Sequence, residues 1–445
     1  MHVPLKQQLE RSVMACLLWE DSFYESGEAI AKRIADLVKQ NKVEDVIDIA
    51  TRAKLDMRLR HVPLFLALEL AKRPEARIAV RQLIPLLITR PDDATELLAL
   101  YWKDRKGQKP KKLAKCIQNG IAEALLKFDE YQLSKYAAKS KSVSLKDAIA
   151  LTHPKPKTDV QAKWFHNIIN GTYITADTWE SAITSTNKKE SWTRLLDDKK
   201  LGGMALLRNL RNMTKEGVDT DKVKQAIKDI NAGKLLPVNF FAANKHNPGF
   251  ETEIEEKMLE CFATKPKLKG KTILIIDTSG SMHSALSGRS ENRRIDVAGI
   301  LAAIGRELCE EPVIYCTAGC DSTKKHATMR IPARRGFSLV DYITKGGTRD
   351  TIGGGGIFLK QVLDYVKADT KTADRIIVLT DEQDCDTSAN SPSKADAFSS
   401  RNYMINVSND KNGIVYGGKW VQINGWSDTV FNYITALENS NANLN

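Results

Sequence analysis

The first part of the chain carries hydrophobic residues at the spacing of amphipathic helices. Between residues 25 and 265, apolar positions recur every three or four residues, in segments that end near Pro, Asn or basic residues. The first five segments are SGEAIAKRIADLVKQNK, VEDVIDIATRAK, LRHVPLFLALELAKR, ARIAVRQLIPLLITR and DDATELLALYWKD. Short connections between helices of similar length predict helix pairs stacked as an α-solenoid.

The pattern changes at the Lys-, Pro- and Gly-rich stretch ATKPKLKGKT, residues 263–272. After it, short runs rich in β-branched residues alternate with helical segments. The runs are TILIIDTS, VIYCTAG, RIIVLTDEQ and RNYMINVS, with a last strand in GGKWVQINGW; the helices are RRIDVAGILAAIGRELCE, GGGGIFLKQVLDYVKAD and SDTVFNYITALEN. This alternation predicts a doubly wound, Rossmann-like α/β fold with helices on both faces of a parallel sheet. We therefore expect a multidomain protein, with an all-α domain at 1–265 and an α/β domain at 266–445.

Composition places the chain among globular proteins. Of its 445 residues, 42% are hydrophobic and 27% are charged. No apolar run approaches the roughly 20 residues of a membrane span, and the N-terminal stretch does not resemble a secretory leader. The seven cysteines are scattered and form no CxxC pair. We therefore expect reduced thiols in a cytoplasmic protein that has no membrane partner.

The positive charge is concentrated in the helical part. The formal net charge is +12, and residues 1–265 carry 45 Lys and Arg against 35 Asp and Glu, whereas residues 266–445 carry 22 against 20. A basic domain predicts a polyanionic partner, with nucleic acid ahead of a membrane surface. The alternative is a basic face that is simply solvated.

Oxygen-bearing side chains follow two of the predicted strands. Asp277 ends the first strand, with Ser279 and Ser281 on alternate residues after it, and Asp381 ends a later strand. Because ligands of doubly wound sheets bind at the carboxyl ends of the strands, we expect these side chains to converge, with Thr348 added from the loop KGGTRDT. Carboxylates and hydroxyls suit a hard divalent cation such as Mg²⁺.

The segments DTSGSM, GGT and LTD resemble the metal-ion-dependent adhesion site of von Willebrand factor A domains. The resemblance implies one Mg²⁺ or Mn²⁺ ion, held partly through water, with one coordination position often filled by a partner's carboxylate. The residues that match the site are Asp277, Ser279, Ser281, Thr348 and Asp381. The segment GGTRDTIGGGGIF is longer than in the family, so Thr351 is an alternative to Thr348.

Catalysis is not expected at this site. A metal with bound water can hydrolyse substrates, but the motif loops offer no His or Glu base except Glu382, and neighbours on a strand point to opposite faces. The GKT at 270–272 precedes a strand and lacks the upstream glycine of a nucleotide-binding P-loop. We therefore expect a binding protein and not an enzyme.

Three stretches resemble the Ro 60 kDa autoantigen family, whose helical part is the TROVE module. LRHVPLFLALELAKR is similar to the family's LRHVPLYLA-type helix, KDAIALTHPKP to its KDLLRLSHLKP segment, and MALLRNLRNM to its TALLRNLGKM helix. Together with the A-like domain, they follow the family's order over nearly the whole chain.

The Ro resemblance implies a HEAT-like helical-repeat ring that is joined by the A domain. It also implies partners: small noncoding Y-like RNA on a basic outer face, and single-stranded 3′ ends of misfolded RNA in the central hole. Bacterial relatives act with an exoribonuclease. We therefore expect a monomeric RNA-binding scaffold for RNA quality control. The rival hypothesis is a metal-dependent protein-adhesion module that binds no RNA.

Candidate RNA-binding residues come from two basic stretches. KDRKGQKPKKLAK, residues 103–115, has seven basic residues and one acid, and KYAAKSKSVSLKDAIALTHPKP follows it. His153 matches the family's RNA-contacting histidine, whereas the preceding basic positions match only with a one-residue shift, and there lysine replaces arginine. A histidine that caps or packs beside prolines is the alternative for His153. The candidate set is Lys111, Lys112, Lys115, Lys135, Lys139, Lys141 and His153.

Overall fold

The computed structural model describes residues 4–14, 27–103, 112–137, 142–176, 178–184, 186–286, 290–345, 352–381, 385, 397–408, 420–424 and 429–442. The chain divides into two compact units. We call His2–Trp19 with Glu28–Ser181 the first unit, and Met1, Glu20–Gly27 and Ala182–Asn445 the second unit. No helix among the described residues has the length and apolar character needed to cross a bilayer.

The helices of the first unit pack in two rows. Their bounds are α1 Leu5–Met14, α2 Gly27–Gln40, α3 Val43–Leu55, α4 Val62–Ala71, α5 Arg77–Leu87, α6 Pro91–Trp102, α7 Lys115–Leu125, α8 Glu130–Ala137, α9 Leu145–Thr152 and α10 Asp159–Asn170, followed by α11 Trp179–Thr184 at the boundary between the units. Along one row, α1, α3, α5, α7 and α9 contact one another in turn; along the other, α4, α6, α8 and α10 do. Helix pairs stacked in two layers are typical of helical repeats, and the predicted helical segments are confirmed.

The second unit begins with helices and continues as a sheet covered by helices. The helices are α12 Lys188–Asp197, α13 Gly203–Lys215, α14 Thr220–Lys228, α15 Pro237–His246 and α16 Glu251–Ala263. The elements that follow are β1 Leu268–Asp277, α17 Arg294–Leu308, β2 Cys309–Cys320, β3 Lys325–Arg330, α18 Gly336–Thr344, α19 Leu359–Thr370, β4 Arg375–Thr380, β5 Arg401–Asn406, β6 Val421–Asn424 and α20 Val430–Ala442. The predicted boundary at 265/266 falls between α16 and β1, inside this unit, and the domain division stays a prediction.

The sheet has the strand order β3-β2-β1-β4-β5-β6. All neighbouring strands are parallel except β2 and β3, which are antiparallel. The strand order reverses between β1 and β4, which is the position where doubly wound sheets bind ligands. The antiparallel β3 was not predicted, because KHATMR is a half-exposed edge strand without an apolar run. The sheet core packs Ile273 and Val378 against Val362 and Val366 of α19.

A buried ion pair anchors α20 at the end of the sheet where β4 begins. Arg375 is fully buried, and its Nε donates to Glu438 Oε1 at 2.5 Å. Arg375 Nη1 also donates to Thr272 Oγ1 at 2.8 Å, and Glu438 accepts from the Tyr403 hydroxyl at 3.0 Å. This network lies at the opposite end of β4 from Asp381, so it stabilises the fold at a distance from the candidate site.

We predict that Glu438→Ala lowers the free energy of unfolding by about 3–5 kcal/mol, because it leaves the Arg375 charge buried and uncompensated. Urea denaturation followed by circular dichroism measures the loss. Asp364→Ala is the control: its exposed pair with Lys360, at 2.9 Å, contributes only about 0.3–0.5 kcal/mol. Equal losses in both variants would contradict the structural role of the buried pair.

Candidate metal centre and basic surface

Two aspartates meet at the carboxyl ends of β1 and β4. Asp277 is the last residue of β1, and Asp381 directly follows Thr380, the last residue of β4. The strands are adjacent and parallel, with Ile276 opposite Leu379, so the two carboxylates leave the sheet side by side. Asp277 is 0% exposed and Asp381 is 2% exposed. The sheet therefore holds two acidic side chains close together and away from bulk water.

The Asp277 carboxylate is held by two hydrogen bonds. Its Oδ1 accepts from the Ser279 backbone N–H at 2.9 Å, and its Oδ2 accepts from the Thr380 hydroxyl at 2.7 Å. Burial, and then the negative charge of Asp381, raise the pKa of Asp277 to about 7, against the lowering effect of these hydrogen bonds. Ionisation of Asp277 is therefore unfavourable while Asp381 is charged and no cation neutralises the pair.

Asp381 has a cationic neighbour that the sequence reasoning missed. Arg294, in the first turn of α17, donates from Nη1 to Asp381 Oδ2 at 2.7 Å, and both side chains are buried. The other carboxylate oxygen, Asp381 Oδ1, is buried and has no hydrogen-bond partner among the described residues. No local motif could reveal Arg294, because it precedes Asp381 by 87 positions and only the docking of α17 brings the two together.

The serine loop after β1 lies against the glycine segment before α19. Ser279 Oγ and Ser281 Oγ are 3.3 Å apart, and the Gly280 N–H donates to the carbonyl of Gly355 at 3.3 Å. A Cβ at Gly280 would lie 2.9 Å from the carbonyl oxygen of Gly354, so this contact requires a residue without a side chain. The glycines therefore allow the two loops to approach closely. Thr348 and Thr351 lie outside the described residues.

The donor set fits a hard cation. It offers two buried carboxylates, one of them with a buried unpartnered oxygen, and two hydroxyls. In the part of the chain that the structure describes, no three His, Cys, Asp or Glu side chains are grouped to hold a metal, so hydroxyl groups or water would have to complete the coordination of a cation here. With both aspartates ionised, the Arg294 charge leaves a net charge of −1, so a divalent cation would turn the site positive and attract an anionic ligand.

Three of the predicted RNA-binding residues lie on the surface of the first unit. Lys112, Lys115 and His153 are exposed. Lys115 Nζ donates to Gln118 Oε1 at 3.0 Å, and Gln118 Nε2 donates to the carbonyl of Leu151 at 3.0 Å, two residues before His153. The packing of α7 on α9 thus brings Lys115 towards His153, although 37 positions separate them in the sequence.

Of the other four predicted RNA-binding lysines, one is half-buried and three lie outside the described residues. Lys135 is half-buried, with its ammonium 5.9 Å from the centre of the Tyr136 ring. The remaining three, Lys111, Lys139 and Lys141, lie outside the described residues.

The segment after α9 adds two cations that the sequence reasoning did not select. His153 ends α9 in a left-handed conformation, with φ 51°, and the exposed Lys155 and Lys157 follow it. No described carboxylate forms an ion pair with Lys112, Lys115, Lys155 or Lys157. We call Lys112, Lys115, His153, Lys155 and Lys157 the basic surface. Its lysines carry charge that no described acid neutralises.

Comparisons with known proteins relate the chain to Ro proteins. Residues 172–273 match the family model of the TROVE domain, and MALLRNLRNM lies inside that match. No curated protein sequence matches the chain. The crystal structure of the Ro (RSR) protein of Deinococcus radiodurans is similar to this structure, with a TM-score of 0.62 and 16% identity, covering 97% of this chain and 99% of that chain. The chain therefore shares the fold of a Ro protein and contains a segment that matches the TROVE domain.

Proposed function

We propose that the protein is a ring-shaped RNA-binding scaffold of the Ro type. The observation that carries the proposal is the structural similarity to a Ro protein over 97% of this chain and 99% of that one. The two rows of stacked helices are compatible with repeats that curve into a ring, and the TROVE match adds a relation at the level of sequence. In this proposal the α/β part is a von Willebrand A-like domain and completes the ring.

The basic surface is the proposed binding site for small noncoding, Y-like RNA. Exposed lysines that no described acid neutralises can bind phosphates without reading the sequence, which suits a structured RNA held by its backbone. His153 adds a ring donor at the end of α9. In the same proposal, single-stranded 3′ ends of misfolded RNA enter the central hole, and an exoribonuclease is a further partner in RNA quality control.

The metal centre is the proposed site of one Mg²⁺ or Mn²⁺ ion. Asp277 and Asp381 would hold the cation together with Ser279 and Ser281, and Thr348 or Thr351 would complete the set. When bound, the ion supplies a positive centre that binds an acidic group of a partner. Arg294 holds Asp381 in place and offsets part of its charge.

The same centre also supports a second candidate function, protein adhesion without RNA. A cation with an open position could bind a partner's carboxylate whether or not the helices bind RNA. The lysines of the basic surface, which no described acid neutralises, favour RNA, because adhesion through the metal needs no basic surface on the helices. We further propose that the protein is a cytoplasmic monomer with reduced thiols, because its seven cysteines are scattered and form no CxxC pair.

We predict that Mg²⁺ raises the melting temperature of the wild type and leaves that of Asp277→Asn unchanged. In the metal-free protein the raised pKa of Asp277 means that the fold favours its protonated form, and this contribution to stability is lost as the pH rises through about 7. The Mg²⁺-induced shift should therefore grow between pH 6 and pH 8 in the wild type. Scanning fluorimetry at several pH values measures it.

The control for this experiment is metal-free Asp277→Asn at pH 8, which should melt no lower than the metal-free wild type because it lacks a buried negative charge. An equal Mg²⁺ shift in both proteins would mean that the cation binds elsewhere.

We predict that Lys112→Ala with Lys115→Ala weakens binding of a labelled stem–loop RNA about tenfold. The slope of log affinity against log salt should flatten by about 0.9 for each phosphate that the variant no longer neutralises. Filter binding at several salt concentrations measures both quantities. Lys32→Ala with Lys42→Ala removes the same charge from the start of the first unit and should have little effect. A double mutant at 112 and 115 with wild-type affinity and slope would show that the basic surface is only solvated.

We predict that the purified protein does not cleave RNA. Labelled single-stranded RNA should stay intact with Mg²⁺ or Mn²⁺ present, because the described residues of the metal centre include no His or Glu side chain that could act as a base. Gel electrophoresis follows the label. Cleavage that persists through purification and disappears in Asp381→Ala would overturn the assignment as a scaffold.

A further inference from the structure

We propose that a cleft between α13 and α15 binds the phosphodiester backbone of single-stranded RNA. This inference rests on the proposed RNA-binding function and adds to it a second site, with different residues, in the second unit. We call it the arginine cleft, because Arg208 and Arg211 of α13 form one side of it.

The cleft combines an apolar floor with polar walls. It has a volume of about 380 Å³, and its floor is formed by the buried side chains of Leu207 and Ala243. Arg208 and Arg211 stand one helical turn apart on α13, and both are exposed. On the opposite wall, α15 contributes Asn239 from its first turn and His246 from its last. Cationic and amide donors thus surround a surface on which an apolar ring can rest.

The two arginines have no counter-ion in the part of the chain that the structure describes. Neither guanidinium forms a hydrogen bond or an ion pair with a described residue. Arg294 and Arg375 of the same unit are, by contrast, both paired with carboxylates. Two exposed guanidinium groups that no described carboxylate neutralises are a favourable arrangement for an anion that enters from outside.

The other polar groups of the cleft leave this positive charge in place. Glu291 at the rim is 81% exposed and lies 3.7 Å from His246 Nε2, and it forms no ion pair with either arginine. Asn239 Oδ1 accepts the backbone N–H of Leu236 at 3.0 Å, which leaves its amide N–H groups as donors. The cleft therefore presents two guanidinium groups and one amide donor to a ligand, and its one carboxylate lies exposed at the rim.

The shape and chemistry favour a single strand over a duplex or a protein. A volume of about 380 Å³ lies near the lower end of the roughly 300–1,000 Å³ typical of small-ligand pockets, which suits one nucleotide and not a helix. The planar fork of a guanidinium matches two oxygens of one phosphate, and an apolar floor accepts a base of any kind. The Ro resemblance does not imply this pair of arginines, because Arg211 stands where the family helix TALLRNLGKM has glycine.

The test is fluorescence anisotropy of a labelled 15-nucleotide oligouridylate, which is unstructured, with the full-length protein. Arg208→Ala with Arg211→Ala should weaken its binding at least tenfold and flatten the salt slope by about 0.7 for each phosphate that is no longer neutralised, the value for single strands. Arg208→Lys with Arg211→Lys should give an intermediate loss, because charge remains and the fork is absent. The stem–loop RNA should bind to both variants with wild-type affinity, which also shows that they are folded.

The control is Lys228→Ala with Lys234→Ala, which removes two exposed cations of the same unit that do not line the cleft. If it weakens oligouridylate binding as much as the arginine variant, or if the arginine variant binds like the wild type, the cleft is not the site. A wild type that binds the stem–loop but not oligouridylate would overturn both the cleft and the single-strand part of the proposed function, and a wild type that binds neither would overturn the proposed function as a whole. Tighter binding of a doubly phosphorylated peptide than of the oligonucleotide would assign the cleft to protein ligands.

Discussion

The second unit depends on the burial of two like charges at the ends of adjacent strands. Asp277 and Asp381 are almost completely buried, and parallel pairing of β1 with β4 forces them together. Such a pair persists only when hydrogen bonds, protons or cations offset the repulsion and the loss of hydration. Ser279 and Thr380 supply hydrogen bonds, and Arg294 supplies one positive charge. A divalent cation is the remaining component that the proposed site would take.

The two ends of the sheet use buried charge for different purposes. At one end, Arg375 and Glu438 form a closed network in which each group has partners, so the pair anchors α20 and leaves no position for a ligand. At the other end, Asp381 Oδ1 is buried without a partner among the described residues. A complete network stabilises the fold, whereas an incomplete one in a strand-end crevice is a candidate for function.

The sequence predicts those parts of the molecule that local pattern controls. Helices α2–α6 and five of the six described strands follow from periodicity and β-branched runs, and the placement of Asp277 and Asp381 follows from their position at strand ends. The sequence does not predict β3, because this edge strand has no run of apolar residues. It also does not predict the roles of Arg294, Arg208 and Arg211, because their surroundings depend on how the helices dock. For the basic surface, a basic stretch of sequence predicts Lys115 and a family resemblance predicts His153, but their proximity results from the packing of α7 on α9.

The connectivity of the two parts also determines when each can form during synthesis. In the first unit, each row joins helices that are near neighbours along the chain, so its contacts are local and can be made as the polypeptide emerges from the ribosome. The metal centre is different, because the hydrogen bond from the Thr380 hydroxyl to the Asp277 carboxylate joins residues that are 103 positions apart in the sequence. Until β4 has been translated, β1 lacks the neighbour that completes its crevice, and Asp277 remains hydrated. Any metal that binds between Asp277 and Asp381 therefore has to be acquired after β4 has been translated, when the residues of the helical rows have long left the ribosome.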